Sequence, residues 1–260
     1  MKRSIILMGG KTHVISIPAE YIRKYGLQKG DELDFEDNGP NITFKNEKLK
    51  SIEKIQIKFN ENENIEKALK CLYERGYDEI ELSLEKVSIT DIENIITSMP
   101  GFELVCSSKN NCTIKCISEV NILEFENMLR RIFLMIKSIP ETMSEKKQSL
   151  IKIATAQRLT LFCKRCLSKK EFQNYSRTLV YYSLLNEISS ILSCYETVIK
   201  EKSPPIKELS LAAEAAYDAF YASGLTKDIT ISLIKSSPYA ASIGLGLSKI
   251  VLLAQSLKIA

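Results

Sequence analysis

The sequence predicts an α+β protein of several modules: a β-rich head, a middle segment of alternating strands and helices, and a helical carboxyl-terminal half. Three observations point there. The first is composition: 260 residues, 45% apolar and 26% charged, with 10 Gly and 7 Pro. That is a globular balance, and it rules out a disordered chain, a collagen-like repeat and a coiled-coil rod. The second is charge. Residues 1–30 carry Lys2, Arg3, Lys11, Arg23, Lys24 and Lys29 against Glu20 alone, a surplus of +5, whereas residues 61–104 are at −7 and residues 151–200 return to +5. The whole-chain value of +4 hides this alternation. The third is periodicity, which is short and strand-like before Asn121 and helical after it.

In the head, residues 1–48, Ser4–Met8 and His13–Ile17 are short β-rich runs separated by Gly9-Gly10, a loop signal. Pro18 suits the first helical position, where its missing N–H costs nothing. Glu20 in the first turn and Arg23 and Lys24 in the last agree with the helix dipole, and Gly26 closes the helix. Gly30-Asp31 then leads into Glu32–Glu36, an alternating strand with Leu33 and Phe35 expected on the buried side. Asp37-Asn38-Gly39-Pro40 is a turn, and Ile42 and Phe44 continue the alternation on the way back. A unit below about 50 residues buries too little apolar surface to stand alone, so a dimer is expected.

These residues carry a resemblance. Gly10-Lys11-Thr12-His13-Val14-Ile15-Ser16-Ile17-Pro18, followed by Ile22-Arg23-Lys24-Tyr25-Gly26-Leu27-Gln28-Lys29-Gly30-Asp31-Glu32-Leu33, resembles the AbrB/MazE/SpoVT-type swapped-hairpin domain. The resemblance implies a homodimeric, strand-exchanged β barrel that binds double-stranded DNA through basic residues of its first strands and loop. Lys2, Arg3, Lys11 and Arg23 are then the phosphate or base-edge candidates, with Thr12 and His13 able to hydrogen-bond from the loop.

Residues 49–120 alternate elements. Ile55–Phe59 reads as a strand, Glu63–Glu74 as a helix with Ile65, Leu69 and Leu72 on one face, and Ile80–Leu84 as a strand. Thr90 is placed to cap a helix through Met99, and Phe102–Cys106 and Thr113–Ile117 form a hairpin across Lys109-Asn110-Asn111. The order is βαβαββ, a small α/β sandwich. Its acids include Glu79 and Glu81 on one strand face with Asp78 on the other, and they form no recognisable acid–base pair.

Residues 121–260 read as an antiparallel helical bundle. One helix reaches Pro140, a second runs from about Glu145 to Leu167, a third from Glu171 to about Lys200 and a fourth from Glu208 to Ser223. A fifth, apolar stretch starts at Thr226 and is broken near Pro238 and Gly244. So few charges in the last fifty residues imply burial either within the bundle or between subunits, and in the second case these helices would add to the contact of the homodimer.

A second resemblance lies in Tyr73-Glu74-Arg75-Gly76-Tyr77-Asp78-Glu79-Ile80, Met99-Pro100-Gly101-Phe102-Glu103 and Leu129-Arg130-Arg131-Ile132-Phe133. These are similar to archaeal proteins that join an AbrB-type head to a PhoU-type bundle. That implies a transcriptional regulator of phosphate uptake or response, or alternatively an adaptor that regulates a phosphate transporter or kinase by protein contact. Such bundles hold metal through Glu-x-x-x-Asp pairs, since residues four apart share a helix face. Glu214 and Asp218 keep that spacing and are the candidate ligands for a divalent ion, while Glu187 meets Ile191 where the pattern wants Asp.

The remaining chemistry is thin. With His13 the single histidine and no Trp, a His-based triad or a His-rich zinc site is excluded in practice, and no nucleophile–base pair or Gly-rich phosphate loop marks an enzyme. Cys163-Lys164-Arg165-Cys166 lacks the second CxxC that zinc requires, and the seven cysteines read as reduced thiols. The amino terminus lacks the apolar core of an export signal. The longest uncharged run, Ser236–Ser248, is too short to span a bilayer. A cytoplasmic protein without membrane insertion is expected.

Overall fold

The structure, a computed structural model, describes residues 2–39, 41–45, 52–59, 64–84, 88–108, 111–118, 122–169, 175–201, 207–221 and 238–259. It is α+β and mostly helical, with eight α-helices among the described residues. The chain divides into two compact units, Met1–Ser51 and Ile52–Ala260, so the α/β layer and the helical bundle lie in one body.

The first unit holds the strands β1 (Ile5–Met8) and β2 (Thr12–Ile15), helix α1 (Ala19–Tyr25), and strands β3 (Asp34–Asn38) and β4 (Asn41–Lys45). β1–β2 and β3–β4 are separate two-stranded antiparallel sheets, so the single chain does not display the barrel expected of the head. Pro18 is the N-cap of α1 rather than its first helical residue, and its carbonyl accepts from Ile22 N–H at 3.1 Å. Gly26 takes the left-handed conformation at φ 63° and ends the helix as expected.

The second unit starts with a four-stranded sheet, order β5-β6-β8-β7, from β5 (Lys54–Phe59), β6 (Glu79–Leu84), β7 (Phe102–Ser107) and β8 (Asn111–Cys116). β5 runs parallel to β6, and β8 is antiparallel to both β6 and β7. With α2 (Ile65–Glu74) and α3 (Ile89–Ile96) inserted, this is the predicted βαβαββ order. One face carries Phe59, Ile80, Leu82, Phe102, Cys112 and Ile114, packed with Leu69, Leu72 and Tyr73 of α2 and Ile92 and Ile96 of α3. The alternate positions face outward. There Lys54, Glu79, Lys115 and Glu103 form a row of alternating charge across all four strands. Glu79 lies beneath the two lysines, each 3.1 Å from its Oε2. Ser88, not Thr90, caps α3, its hydroxyl accepting from Thr90 N–H at 3.2 Å, and the helix ends at Ile96 rather than Met99. Residues 109 and 110 of the predicted hairpin loop lie outside the described residues.

The bundle comprises α4 (Ile122–Ser138), α5 (Lys146–Ser168), α6 (Tyr175–Lys200), α7 (Lys207–Tyr221) and α8 (Pro238–Ile259), with a 3₁₀ turn at Pro140–Thr142. Neighbours run α4-α5-α6-α8-α7 and back to α4, a closed ring of five helices. Cross-contacts show that three of the pairs are antiparallel. Phe125 meets Cys163 while Thr142 meets Ser149, Gln157 meets Glu196 while Lys164 lies over Tyr182, and Phe133 meets Phe220 while Lys137 meets Glu214.

The last helix corrects the sequence reading. Pro238 begins α8 instead of breaking it, in the helical position where proline is tolerated, and the helix continues through Gly244 and Gly246. At Gly246 a Cβ would stand 2.7 Å from Ile191 Cγ1, so glycine is what allows α8 to approach α6 so closely. Lys249, read as the end of the apolar run, is absorbed by Glu187 of α6 at 3.2 Å. The stretch Pro238–Leu257 is therefore long and apolar enough, by length and composition, to cross a membrane, with mean hydropathy 1.5, though here it packs between α6 and α7. Residues 222–237, where that stretch was expected to begin, lie outside the described residues, as do 170–174 at the expected start of the third helix.

The two layers of the body meet at Arg165. None of its surface is exposed, and its guanidinium donates to the carbonyls of Tyr73 (3.1 Å) and Tyr77 (2.8 Å) and to Asp78 Oδ1 (2.7 Å). The rings of Tyr73 and Phe102 lie 5.0 and 4.9 Å from it. The neighbouring Cys163 and Cys166 are buried in the bundle core, where desolvation pushes the Cys163 thiol well up. The CxxC thus reads out as two core thiols flanking the two basic residues, Lys164 and Arg165, that fasten α5 to the α/β layer.

Candidate nucleic-acid interface

The first hairpin is built by Gly9 and Gly10, both at positive φ (61° and 72°), the pattern of the tight turns that match strand twist. Lys11 N–H closes the turn on Met8 O at 3.4 Å. The register pairs Ile5 with Ile15, Ile6 with Val14, Leu7 with His13 and Met8 with Thr12. Strand alternation then puts Ile5, Leu7 and Ile15 with His13 on one face and Ile6, Met8 and Val14 with Thr12 on the other. Both faces are mainly apolar. Among the described residues this hairpin has little cover on either side: Ile5, Ile6, Leu7, Met8 and Ile15 are exposed and Val14 is half-buried.

The rest of the unit shows the same deficit. Ile5, Ile6, Leu7, Met8, Ile15, Ile17, Tyr21, Tyr25, Phe35, Ile42 and Phe44 are between 36% and 66% exposed, and Leu27 is the buried apolar residue among those described. Phe35, expected on a buried side, instead stacks edge-on against Phe44 of the paired strand at 5.8 Å, with both rings open to solvent. Phe35, Ile42 and Phe44 share one face of this hairpin as expected, but that face is exposed rather than buried among the described residues.

The six candidate DNA-contacting residues are all exposed but fall in three places. Lys11, Thr12 and His13 cluster at the turn of the first hairpin, and Lys2 and Arg3 precede β1 at its open end. Some five residues at about 3.3 Å each separate Arg3 from the turn, roughly 17 Å. Arg23 lies on α1, where its Nε turns back to Ala19 O at 3.4 Å. The second hairpin is of opposite sign: residues 31–45 contain Asp31, Glu32, Asp34, Glu36 and Asp37 against Lys45. Net charge therefore changes sign along this unit, from +5 over residues 1–30 to −4 over residues 31–45.

The candidate metal pair on α7 already faces a cation of the protein's own. Lys137 of α4 donates to Glu214 Oε1 at 2.8 Å and lies over the Tyr217 ring at 5.5 Å. Its hydrogen bond with Glu214, and the nearby charge of Asp218, hold the ammonium above the ordinary lysine range. Among the described residues no three His, Cys, Asp or Glu side chains come together as a metal-ligand group.

Comparison with known protein families, curated proteins and solved structures gives no match for this chain.

Proposed function

We propose that the protein is a dimeric DNA-binding regulator, its head completed by a second copy and applied to a duplex through the first hairpin. The observation that carries this reading is the first hairpin, apolar on both faces and bordered by Lys2, Arg3 and Lys11 with no acid from residue 2 to residue 17. Two interlocked heads would close these exposed faces into the barrel that the sequence resemblance implies. They would also gather six of these cations, so that Lys2 and Arg3 of one chain compensate for their distance from their own Lys11. The acidic second hairpin limits DNA to one side. The resemblance of the middle segment and bundle to PhoU-type regulators supports phosphate uptake or response as the process controlled.

A gel-shift titration at two salt concentrations tests it. About six phosphate contacts predict an affinity loss on the order of 10³-fold between 50 and 200 mM salt. Arg3→Ala with Lys11→Ala, four charges per dimer, should remove most binding and lower the salt slope by about 3–4. Unchanged binding in that double variant sinks the site assignment. The adaptor reading is favoured by a different feature, the open leucines 211, 245 and 252 on α7 and α8. It takes over if the chain dimerises but shifts no DNA at low salt.

A further inference from the structure

Asp78 connects two things that sequence order keeps apart. Its Oδ1 receives Arg165, and its Oδ2 receives Lys169 Nζ at 2.5 Å, both from the last turn of α5 or just beyond it. The same Oδ2 accepts the backbone N–H of Glu53 at 3.1 Å, while the N–H groups of Asp78 and Glu79 donate to Glu53 O at 2.7 and 3.1 Å. Glu53 directly precedes β5, within two residues of the boundary between the compact units at Ser51 and Ile52. Both polar groups of its backbone are thus held by the Asp78–Glu79 segment, and the carboxylate is held in turn by two cations of one bundle helix. Arg165 has no freedom to retreat. It is fully enclosed by the Tyr73 and Phe102 rings and two carbonyls, and a buried guanidinium without its carboxylate is strongly disfavoured.

We propose that the end of α5 controls, through Asp78, the root of the segment that leads to the head, so that an event that shifts α5 in the bundle is felt where the head is attached. The coupling runs α5–Asp78–Glu53 and needs no contact between head and bundle.

Residue-resolved amide hydrogen exchange on the full-length protein tests this without any DNA, so its outcome is independent of what the head binds. Arg165→Met keeps the volume of the side chain and removes its charge. Lys169→Met removes a partly exposed partner and leaves Arg165 in place. Each should speed exchange at Glu53 at least tenfold while the central-strand amides of Ile80 and Ile114 keep their protection. If Arg165→Met fails to fold, Lys169→Met decides. Glu53 exchange unchanged in a folded Lys169→Met protein, or accelerated only together with Ile80 and Ile114, overturns the proposal.

Discussion

A full positive charge at Arg165 is completely buried, its two terminal nitrogens held by two carbonyls and one carboxylate between two ring faces, while its Nε has no hydrogen-bond partner among the described residues. Removing one partner of such a pair costs far more than the pair contributes, because the other charge stays buried. Asp78→Asn should therefore destabilise the body by about 3 kcal/mol, read as a lower denaturant midpoint at constant slope. The converse case is Tyr195, fully buried on α6 with no hydrogen-bond partner for its hydroxyl among the described residues. Desolvation raises its pKa well above the ordinary tyrosine range. Tyr195→Phe deletes an unsatisfied group without leaving a hole, and its melting temperature should equal or exceed that of the parent protein. Gly246→Ala must push Ile191 aside and should cost about 1–3 kcal/mol in the same assay. Neither Tyr195 nor Gly246 stands out in the sequence. Arg165 is one of eight bases in its stretch, and only the fold reveals which of them is enclosed.

At the level of elements, periodicity and punctuation were legible wherever a local rule decides the outcome. Gly26 ends α1, Gly9-Gly10 turns the first hairpin, and the βαβαββ order follows the alternation of apolar runs. They misled where tertiary packing overrides local preference. Pro238 and Gly244 read as breaks in α8, but packing between α6 and α7 holds that segment helical, and at Gly246 the missing side chain allows close approach to α6. Thr90 and Ser88 are both good caps, and spacing alone did not choose between them. The charged row across the open sheet face gives the body a pH dependence. Hydrogen bonds from Lys54, then Lys115, depress the Glu79 pKa, and Lys200 does the same for Glu196. A carboxyl with a depressed folded pKa contributes stability that is complete above its unfolded value, about 4.3, and is lost as pH falls through the folded one. Melting temperature should thus be flat from neutrality down to about pH 5 and fall below it, and Glu79→Gln should make that fall shallower.

For the whole molecule, the contrast between the two units leads to a thermal prediction. The body has continuous cores in both of its layers, whereas the head has one buried apolar residue among those described and many exposed ones. Calorimetry should show two transitions. The head transition should rise with protein concentration, because it unfolds with loss of its partner, and the body transition should stay where it is. A single, concentration-independent transition would contradict the dimeric head. The smallness of the head in the sequence raised the expectation of a second chain. The sequence did not make legible the merger of the middle segment with the bundle, which rests on long-range contacts of α2 with α5 and on Leu161 filling the α/β core.

The doubly apolar first hairpin has a consequence for dosage. On the dimeric reading the surface that grips the duplex comes into being only when two chains meet, so at scarce expression the occupancy of an operator grows with the square of the amount of protein. Such a regulator stays silent below a threshold of its own abundance and then engages abruptly, a response that a monomeric binder of equal affinity would lack.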